Sequence, residues 1–407
     1  MPEPTIRLAT KSDFTRLVDH IDLVFAENPT TEGLGEFEQW LEFDRTFLAE
    51  DGDLIVGTAA TISYRLNVPG GDTIPAGGLT IVAVRPTHRR RGLLKRMMLA
   101  HLEDVRDRGE AVAMLYASES SIYGRFGFGS AAPSAEITIA RAHGAFRHDV
   151  PPPRGTYRLL DIVEGGAVMR EVFARATVGV PGAVVPREQD WVRRLTDYPA
   201  RREGQTPWRV LVYDRDGAPQ GYARYRQKEA WGAGGPEGKL VSREIHACDG
   251  EAYAALWRFL LDIDLMVTIE SGNRPLPEPL RLLLADPRRL EERPDDGLWV
   301  RPVDVAAALA ARRYRVEGAV VLEVRDDFFD SGGRFRLEGG PDGATCTRTD
   351  AAADLTLSVE HLGAIYLGGT SVSRLAWLGM VAGDPEAVRR ADDMFSWPVA
   401  PNNTLHF

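Results

Sequence analysis

Apolar and polar positions in the first third of the chain predict a strand, two helices, a meander of strands, and then a helix between two strands. The first helix ends near residue 26, because its apolar side chains recur at helical spacing, at Phe14, Leu17, Val18, Ile21 and Phe25. A turn signal at 69–72 separates two long strand patterns, and the second of these runs over residues 77–84. Another amphipathic helix, over 92–108, is followed by a strand pattern over 111–117.

The same order of meander, strand, helix and strand recurs further along the chain. Its helix, over residues 251–261, starts at a loop, 248–251, that carries two acids and no arginine. From residue 299 the pattern changes to an alanine-rich helix, four short strands and three helices. Three consecutive prolines at 151–153 mark a stiff linker. We therefore predict three domains, with bounds 1–150, 151–298 and 299–407.

Composition excludes several classes of protein. With 407 residues, 44% hydrophobic and 27% charged, the chain has the profile of a globular protein of two or three domains. A net charge of −10 argues against a nucleic-acid binder. It first suggests that mild acidity aids solubility, and it is also compatible with a cationic substrate. Two cysteines form no disulfide framework or zinc motif, so we expect no metal. No segment has the pattern of a signal peptide or a membrane span, so we expect a cytoplasmic protein without membrane partners.

The most specific signal for a binding site in the sequence lies in residues 81–94. A β-branched strand leads into Arg89-Arg90-Arg91-Gly92, and a helix starts at Leu93-Leu94-Lys95. Free N–H groups and the dipole at a helix start attract anions, and the arginines add full charges, so this order predicts a phosphate site. The alternative is a solvated basic turn, which is the common fate of a charge run.

Two motifs together resemble one family of enzymes. The first is R-R-R-G-L-L over residues 89–94, and the second is A-S-E-S-S-I-Y-G-R-F-G-F-G over 117–129. They resemble the Eis (enhanced intracellular survival) family of GNAT N-acetyltransferases, and the resemblance extends to the last residue. The generic GNAT signature, R-x-x-G-x-[GA], is only partly met, because Leu94 stands at the small position.

The resemblance implies a fold of mixed α/β and α+β classes. It comprises tandem GNAT-like domains, the second degenerate and without coenzyme, followed by a sterol-carrier-protein-like α+β domain. The acids at 248–251 agree with a degenerate second domain, because they would repel pyrophosphate. Acetyl-CoA as co-substrate and a homohexamer are also implied.

The resemblance further implies roles for individual residues. The strand end would hold the pantetheine arm through backbone groups, and the loop would hold the pyrophosphate; these residues are Val82, Ala83, Val84, Arg89, Arg90, Arg91, Gly92, Leu93, Leu94 and Lys95. Ser118 and Glu119 would lie beside the coenzyme, although Ser118 also suits a helix cap. Tyr123 would be the general acid and the carboxylate of Phe407 the general base. The alternatives are an aromatic cluster of Tyr123 with Phe126 and Phe128, and a frayed terminus.

Acceptor residues come from the first helices rather than from the family. Asp22, Glu27 and Glu36 would hold ammonium groups, and Trp40 would cover a sugar face. The expected function is acetyl-CoA-dependent N-acetylation of an aminoglycoside-like or other polyamine. A protein lysine is an alternative acceptor. A non-catalytic protein that binds CoA and an apolar ligand is an alternative of another class.

Overall fold

The computed structural model describes residues 3–26 and 31–407. Its chain divides into two compact units that are each assembled from separate segments. The first comprises Met1–Ala132, Gly179–Asp190 and Asp296–Phe407, and the second comprises Pro133–Val178 and Trp191–Asp295. The first unit therefore contains the earliest described residues as well as Phe407.

The amino-terminal elements follow the predicted order. They are β1 Thr5–Leu8, α1 Phe14–Phe25, α2 Leu34–Trp40, β2 Thr46–Asp51, β3 Leu54–Asn67, β4 Thr73–Val84, α3 Leu93–Asp107, β5 Val112–Tyr116, α4 Ser120–Tyr123 and β6 Gly129–Ala140. A capping box of Thr10 and Asp13 starts the first helical segment, and Arg7 holds the Asp13 carboxylate at 2.7 and 2.8 Å. The last of these strands, β6, has no counterpart in the sequence prediction.

The first unit is built on a sheet with helices on both faces. Its strand order is β1-β2-β3-β4-β5, and β5 also pairs with residues 298–302. β4 is antiparallel to β3 and parallel to β5. One face packs on α3 through Met97, Met98 and Leu102, and the other packs on α1 and α2 through Leu17 and Trp40.

The middle of the chain supplies the next group of elements. They are β7 Thr156–Asp161, α5 Gly166–Ala176, β8 Val184–Val185, α6 Glu188–Leu195, β9 Arg209–Arg215, β10 Ala218–Lys228, β11 Trp231–Gly232, β12 Gly235–Pro236, β13 Gly238–Ala247, α7 Gly250–Asp262, β14 Met266–Pro275, α8 Leu280–Leu283 and β15 Glu291–Pro302. Within the second unit the strand order is β6-β14-β13-β10-β9-β7, and β13 is parallel to β14. The predicted repeat of the first domain's order is confirmed.

The last group of elements forms a separate sheet within the first unit. They are α9 Val305–Ala310, β16 Gly318–Arg325, β17 Gly333–Gly340, β18 Gly343–Arg348, β19 Leu355–Ser358, α10 Val359–Ile365, α11 Val372–Trp377, β20 Val381–Gly383 and α12 Pro385–Phe395. The order is β18-β17-β16-β19-β20. Its own large side chains fill the core, among them Tyr314, Phe335 and Phe395. Among the described residues, no helix is both long and apolar enough to cross a membrane.

Candidate active site

β4 and β5 part before β4 ends. Their pairing runs from Ala76–Val112 to Leu79–Leu115, whereas β4 continues to Val84. A bulge lies at the parting, where Ile81 has φ of 44° and the register with β3 shifts. The Thr58 hydroxyl donates to the Ile81 carbonyl at 2.8 Å and fixes the bulge. Beyond Leu79, the β4 edge that faces β5 forms no ladder in the described chain, so its backbone groups at residues 82–84 can serve a ligand.

The basic loop leads directly from this strand into α3. Gly92 precedes the helix with φ of 77°, a conformation that glycine adopts without strain. The first intrahelical bond runs from the Arg96 N–H to the Gly92 carbonyl at 3.1 Å. The N–H groups of residues 93–95 therefore precede the helical ladder and point out of its start. The three predicted arginines, 89–91, and Lys95 are exposed around them.

The corresponding helix of the second unit, α7, is capped at its N-terminus by a carboxylate. Asp249 caps α7 by accepting the Ala252 N–H at 2.9 Å, and Arg215 pairs with the same carboxylate at 2.5 Å. The hydrogen bond from Arg215 holds the pKa of Asp249 below its usual value, so this cap is anionic at neutral pH. The start of α7 is thus satisfied by a carboxylate, whereas the start of α3 is capped by glycine without a side-chain bond. An anionic cap repels phosphate.

Tyr123 lies on the α3 face of the sheet. Its side chain is buried, with 4% of its surface exposed, in the cluster that contains Phe126 and Phe128. Burial raises the pKa of Tyr123, while a hydrogen bond from Ser118 opposes this shift. The phenol is therefore protonated at neutral pH. Ser118 and Glu119 are exposed at the end of the strand that precedes it.

The turn after Tyr123 is held by residues from the last part of the chain. The buried Arg301 donates to the Phe126 carbonyl and pairs with Asp326 at 2.6 Å. A side chain at Gly124 would meet the Glu360 carboxylate at 2.8 Å, which shows how closely α10 approaches the turn. These contacts have no local signal in the sequence, since the partners lie far apart in the chain.

The last residues of the chain lie on the opposite face of the same sheet. The ring of Phe407 is 5.0 Å from that of Tyr64 and 5.5 Å from that of Tyr116. A Cβ atom at Gly78 would meet the Phe407 ring at 3.0 Å, whereas one at Gly77 would meet Val105 of α3 at 2.5 Å. Side chains at adjacent positions of a strand point to opposite faces. Phe407 therefore lies beside β4 and β5 near their parting, across the sheet from α3.

The predicted acceptor residues have different environments. Asp22 and Glu36 are half-buried on α1 and α2, and Glu27 lies outside the described residues. Trp40 is only 2% exposed, and its indole N–H donates to Asp190 at 2.6 Å. A core tryptophan presents no open face to a sugar ring, so its burial argues against the predicted stacking role.

A buried polar network beside Phe407 had no signal in the sequence. The Tyr64 hydroxyl donates to Asp190 at 2.9 Å, and Arg187 lies 5.1 Å from the centre of the Tyr64 ring. Arg187 also pairs with Glu42 at 2.7 Å. Asp190 is 126 positions from Tyr64, so no local spacing could have brought these residues together.

Sequence comparisons match three domain families along the chain. Residues 5–131 match a family described as acetyltransferase (GNAT) domain, and residues 182–323 match a second family of the same description. Residues 305–402 match the sterol carrier protein domain. The expected combination of two GNAT-like domains and a sterol-carrier-like domain is confirmed.

Two whole-length relatives extend this similarity. An uncharacterised N-acetyltransferase from Streptomyces avermitilis is 42% identical over 406 residues, which cover 97% of this chain and 98% of that protein. The N-acetyltransferase Eis of Mycobacterium tuberculosis is 37% identical over 369 residues, which cover 88% of this chain and 87% of that protein.

Solved structures agree with the sequence relatives. The crystal structure of Eis1 from Mycobacterium abscessus superposes with a TM-score of 0.86 at 33% identity, covering 99% of this chain and all of that one. A GCN5-related N-acetyltransferase from Anabaena variabilis has the same TM-score at 18% identity, which shows the fold alone. GNAT acetyltransferases use acetyl-CoA as the acetyl donor. From its motifs, its domains and its relatives, the chain belongs to the Eis family of GNAT N-acetyltransferases.

Proposed function

We propose that this enzyme transfers the acetyl group of acetyl-CoA to amines of an aminoglycoside-like or other polyamine. Tyr123 serves as the general acid and the carboxylate of Phe407 as the general base. The observation that carries the proposal is the arrangement around β4 and β5, with the buried Tyr123 on one face and the last residue of the chain on the other.

The co-substrate fits the residues on the α3 side. The exposed arginines 89–91, the free N–H groups at the start of α3 and the flexible Gly92 suit a pyrophosphate. The β4 edge beyond Leu79 suits the amide groups of a pantetheine arm. Of these groups, Val82 and Val84 are half-buried and Ala83 is buried, so it is their backbone that would bind.

The reaction transfers one proton from nitrogen to sulfur overall. An ammonium group first loses a proton to solvent, and the lone pair of the neutral amine attacks the thioester carbonyl carbon. The N–H proton of the attacking nitrogen passes to the Phe407 carboxylate. As the C–S bond breaks, the Tyr123 hydroxyl gives its proton to sulfur. Proton exchange with solvent restores both groups, and the products are an N-acetyl amine and CoA thiol.

The proposed base needs its surroundings to be effective. A free terminal carboxylate has a pKa of about 3.5 and is a weak base in water. The contacts of the Phe407 ring with those of Tyr64 and Tyr116 would keep the last residue near the parting of β4 and β5. An attacking amine becomes strongly acidic as it forms its bond to carbon, so a modest base suffices at that point.

The acceptor class is inferred from charge. The half-buried Asp22 and Glu36 lie on the two helices that cover the Phe407 face, and the chain carries a net charge of −10. An acidic surface concentrates polycations. A lysine side chain in a protein presents one such amine, so a protein acceptor is the second candidate.

The alternative of a non-catalytic carrier has less support. The core of the sterol-carrier-like domain is filled by its own apolar side chains. The cavities described on this domain are open surface grooves, such as the one of about 370 Å³ whose lining includes Glu317, Glu338 and Asp342. Neither feature suits an apolar ligand.

The test is thiol release from acetyl-CoA with a panel of aminoglycosides, linear polyamines and lysine peptides, followed by product mass. We expect turnover with multi-amine small molecules and a mass gain of acetyl groups on them. Turnover only with peptides would favour the protein acceptor. No thiol release with any acceptor, although CoA binds, would overturn the proposal in favour of a carrier.

A further inference from the structure

We infer that Asn403 is a positioning residue for the reaction, because it fixes the last residues of the chain beside β5. This inference rests on the proposed role of Phe407. It assigns a function to a side chain that neither attacks nor transfers a proton. Asn403 lies in the segment 401–407, which we call the terminal arm.

The Asn403 side chain is buried, and both its oxygen and its nitrogen form hydrogen bonds. Only 5% of the residue's surface is exposed. Its Oδ1 accepts the N–H groups of Val184 and Leu405, each at 3.2 Å. Its Nδ2 donates to the Tyr116 hydroxyl at 2.9 Å and to the Leu405 carbonyl at 3.0 Å. These four bonds use the full capacity of an amide, and they join β8, β5 and the terminal arm.

Tyr116 connects this amide to the proposed site. It is the last residue of β5 and follows Leu115, where the pairing with β4 ends. Its ring stacks on that of His406, with centroids 4.0 Å apart and planes at 22°, and meets the ring of Phe407 at its edge. The hydroxyl end of Tyr116 contacts Asn403, while its ring contacts the last two residues. The Tyr116 side chain therefore fixes the terminal arm next to the point where β4 and β5 separate.

The arm between Asn403 and Phe407 has little freedom. Leu405 is 3% exposed in the core cluster, and its backbone is bound on both sides by the Asn403 amide. Earlier in the arm, the Asn402 N–H donates to the Pro181 carbonyl at 2.9 Å. A proton acceptor must lie within hydrogen-bond distance of the attacking nitrogen. Loss of the Asn403 bonds would free the end of the arm while leaving the coenzyme side intact.

The experiment compares Asn403→Ala and Tyr116→Phe with the parent enzyme. Two kinds of measurement are made. The first is the rate at which a carboxypeptidase releases Phe407, and the second is the steady-state kinetics, which give kcat and the KM values for acetyl-CoA and the best acceptor of the panel. Tyr116→Phe keeps the aromatic ring and removes only the hydroxyl, so it remains informative if Asn403→Ala fails to fold. Asn402→Ala is the matched control, because that residue binds Pro181 through its backbone.

We expect the carboxypeptidase to release Phe407 at least tenfold faster from Asn403→Ala than from the parent. We expect kcat to fall roughly 10- to 100-fold, since small misplacements of catalytic groups have effects of this size, while KM for acetyl-CoA stays within about twofold of the parent. Tyr116→Phe should raise the release rate and lower kcat by smaller factors. The Asn402→Ala control should match the parent.

Two results would overturn the inference, and they are distinguishable. An unchanged release rate in both variants would show that Asn403 does not fix the arm, while the base role of Phe407 would stand. Faster release with an unchanged kcat would show that the arm's position is irrelevant to the chemistry, in which case the proposed base fails as well.

Discussion

At the scale of single residues, adjacent glycines in β4 allow different neighbours to approach the two faces of one strand. Gly77 admits Val105 of α3, and Gly78 admits the rings of Tyr64 and Phe407. The absence of a side chain at Gly78 brings the last residue of the chain against the strand. Neither glycine has a positive φ, so their role is close approach rather than backbone freedom.

Replacing Gly78 with alanine should therefore displace Phe407. The new Cβ would lie 2.8 Å from Tyr64, closer than real Cβ contacts, and 3.0 Å from Phe407, tighter than nearly all of them. We expect kcat to fall roughly 10-fold or more, because the proposed base moves, while KM for acetyl-CoA changes little. The control is Gly272→Ala, where a Cβ would meet nothing within 4 Å. Equal kcat in the two variants would mean that Phe407 need not lie where it does.

Replacing Tyr123 with phenylalanine should lower kcat about 10²- to 10⁴-fold, the usual range for a general acid. Burial raises the pKa of Tyr123 above the ordinary value of a phenol, so its hydroxyl is protonated at neutral pH. Titration of Tyr123 should therefore cause no loss of rate near pH 7 in the parent enzyme, and a loss should appear only at alkaline pH. Tyr225→Phe, at an equally buried tyrosine of the second unit, is the control in steady-state assays. An unchanged kcat would remove Tyr123 as the acid.

At the scale of elements, the two equivalent helices differ in how they start. α3 starts at a glycine beside exposed arginines, and α7 starts at Asp249, which is already paired with Arg215. The dipole is favourable for an anion at both starts. Local side chains therefore decide that only α3 suits a pyrophosphate.

Removing two loop charges, with Arg89→Ala and Arg90→Ala together, should weaken CoA binding roughly 10- to 100-fold, since bonds to charged groups contribute about 1.5–3 kcal/mol each and exposure reduces this. The loss should be larger at low salt, where screening is weak. Calorimetric titration with CoA at two salt concentrations measures it, with Arg288→Ala and Arg289→Ala as the control pair. A uniform, salt-independent loss would contradict a phosphate role for this loop.

The sequence predicted elements better than it predicted their partners. α1, α3, β4 and α7 lie within a few residues of their predicted bounds, because apolar periodicity and caps are local signals. β6 was missed because its apolar positions alternate with small residues and a proline. Trp40 was assigned to the acceptor site, and its buried hydrogen bond could not be foreseen because its partner Asp190 is 150 positions away. The contacts of Phe407 could be expected only from the family, since no local pattern encodes them.

At the scale of the whole molecule, the part of the chain from residue 299 onward contacts the first domain on both faces of its sheet. Arg301, beside Asp326, holds the turn that follows Tyr123. The terminal arm, which follows α12, carries Phe407 to the opposite face. These contacts, all within the first unit, give a physical reason why the last part of the chain packs with the amino-terminal GNAT domain.

The Arg301–Asp326 pair allows this idea to be tested. The two side chains are 0% and 1% exposed. Asp326→Ala would leave a buried guanidinium without its carboxylate, which typically costs about 3–5 kcal/mol of unfolding free energy. We expect that loss in denaturant unfolding, together with a lower kcat at temperatures where the variant is still folded, because the Tyr123 turn loses its support.

The pH dependence of stability gives an independent measurement of the same pair. Burial alone would raise the pKa of Asp326, but the charge of Arg301 and hydrogen bonds from Ser331 and the backbone lower it below the ordinary value of 3.8. A lowered folded-state pKa contributes stability above pH 3.8 that disappears as pH falls through the folded value. The parent enzyme should therefore lose unfolding free energy below pH 4 more steeply than Asp326→Ala. Glu338→Gln, in an exposed pair with Arg336, is the control and should change the free energy of unfolding by less than about 1 kcal/mol. Parallel pH curves for the parent and Asp326→Ala would show that this pair does not hold the turn in the way its burial indicates.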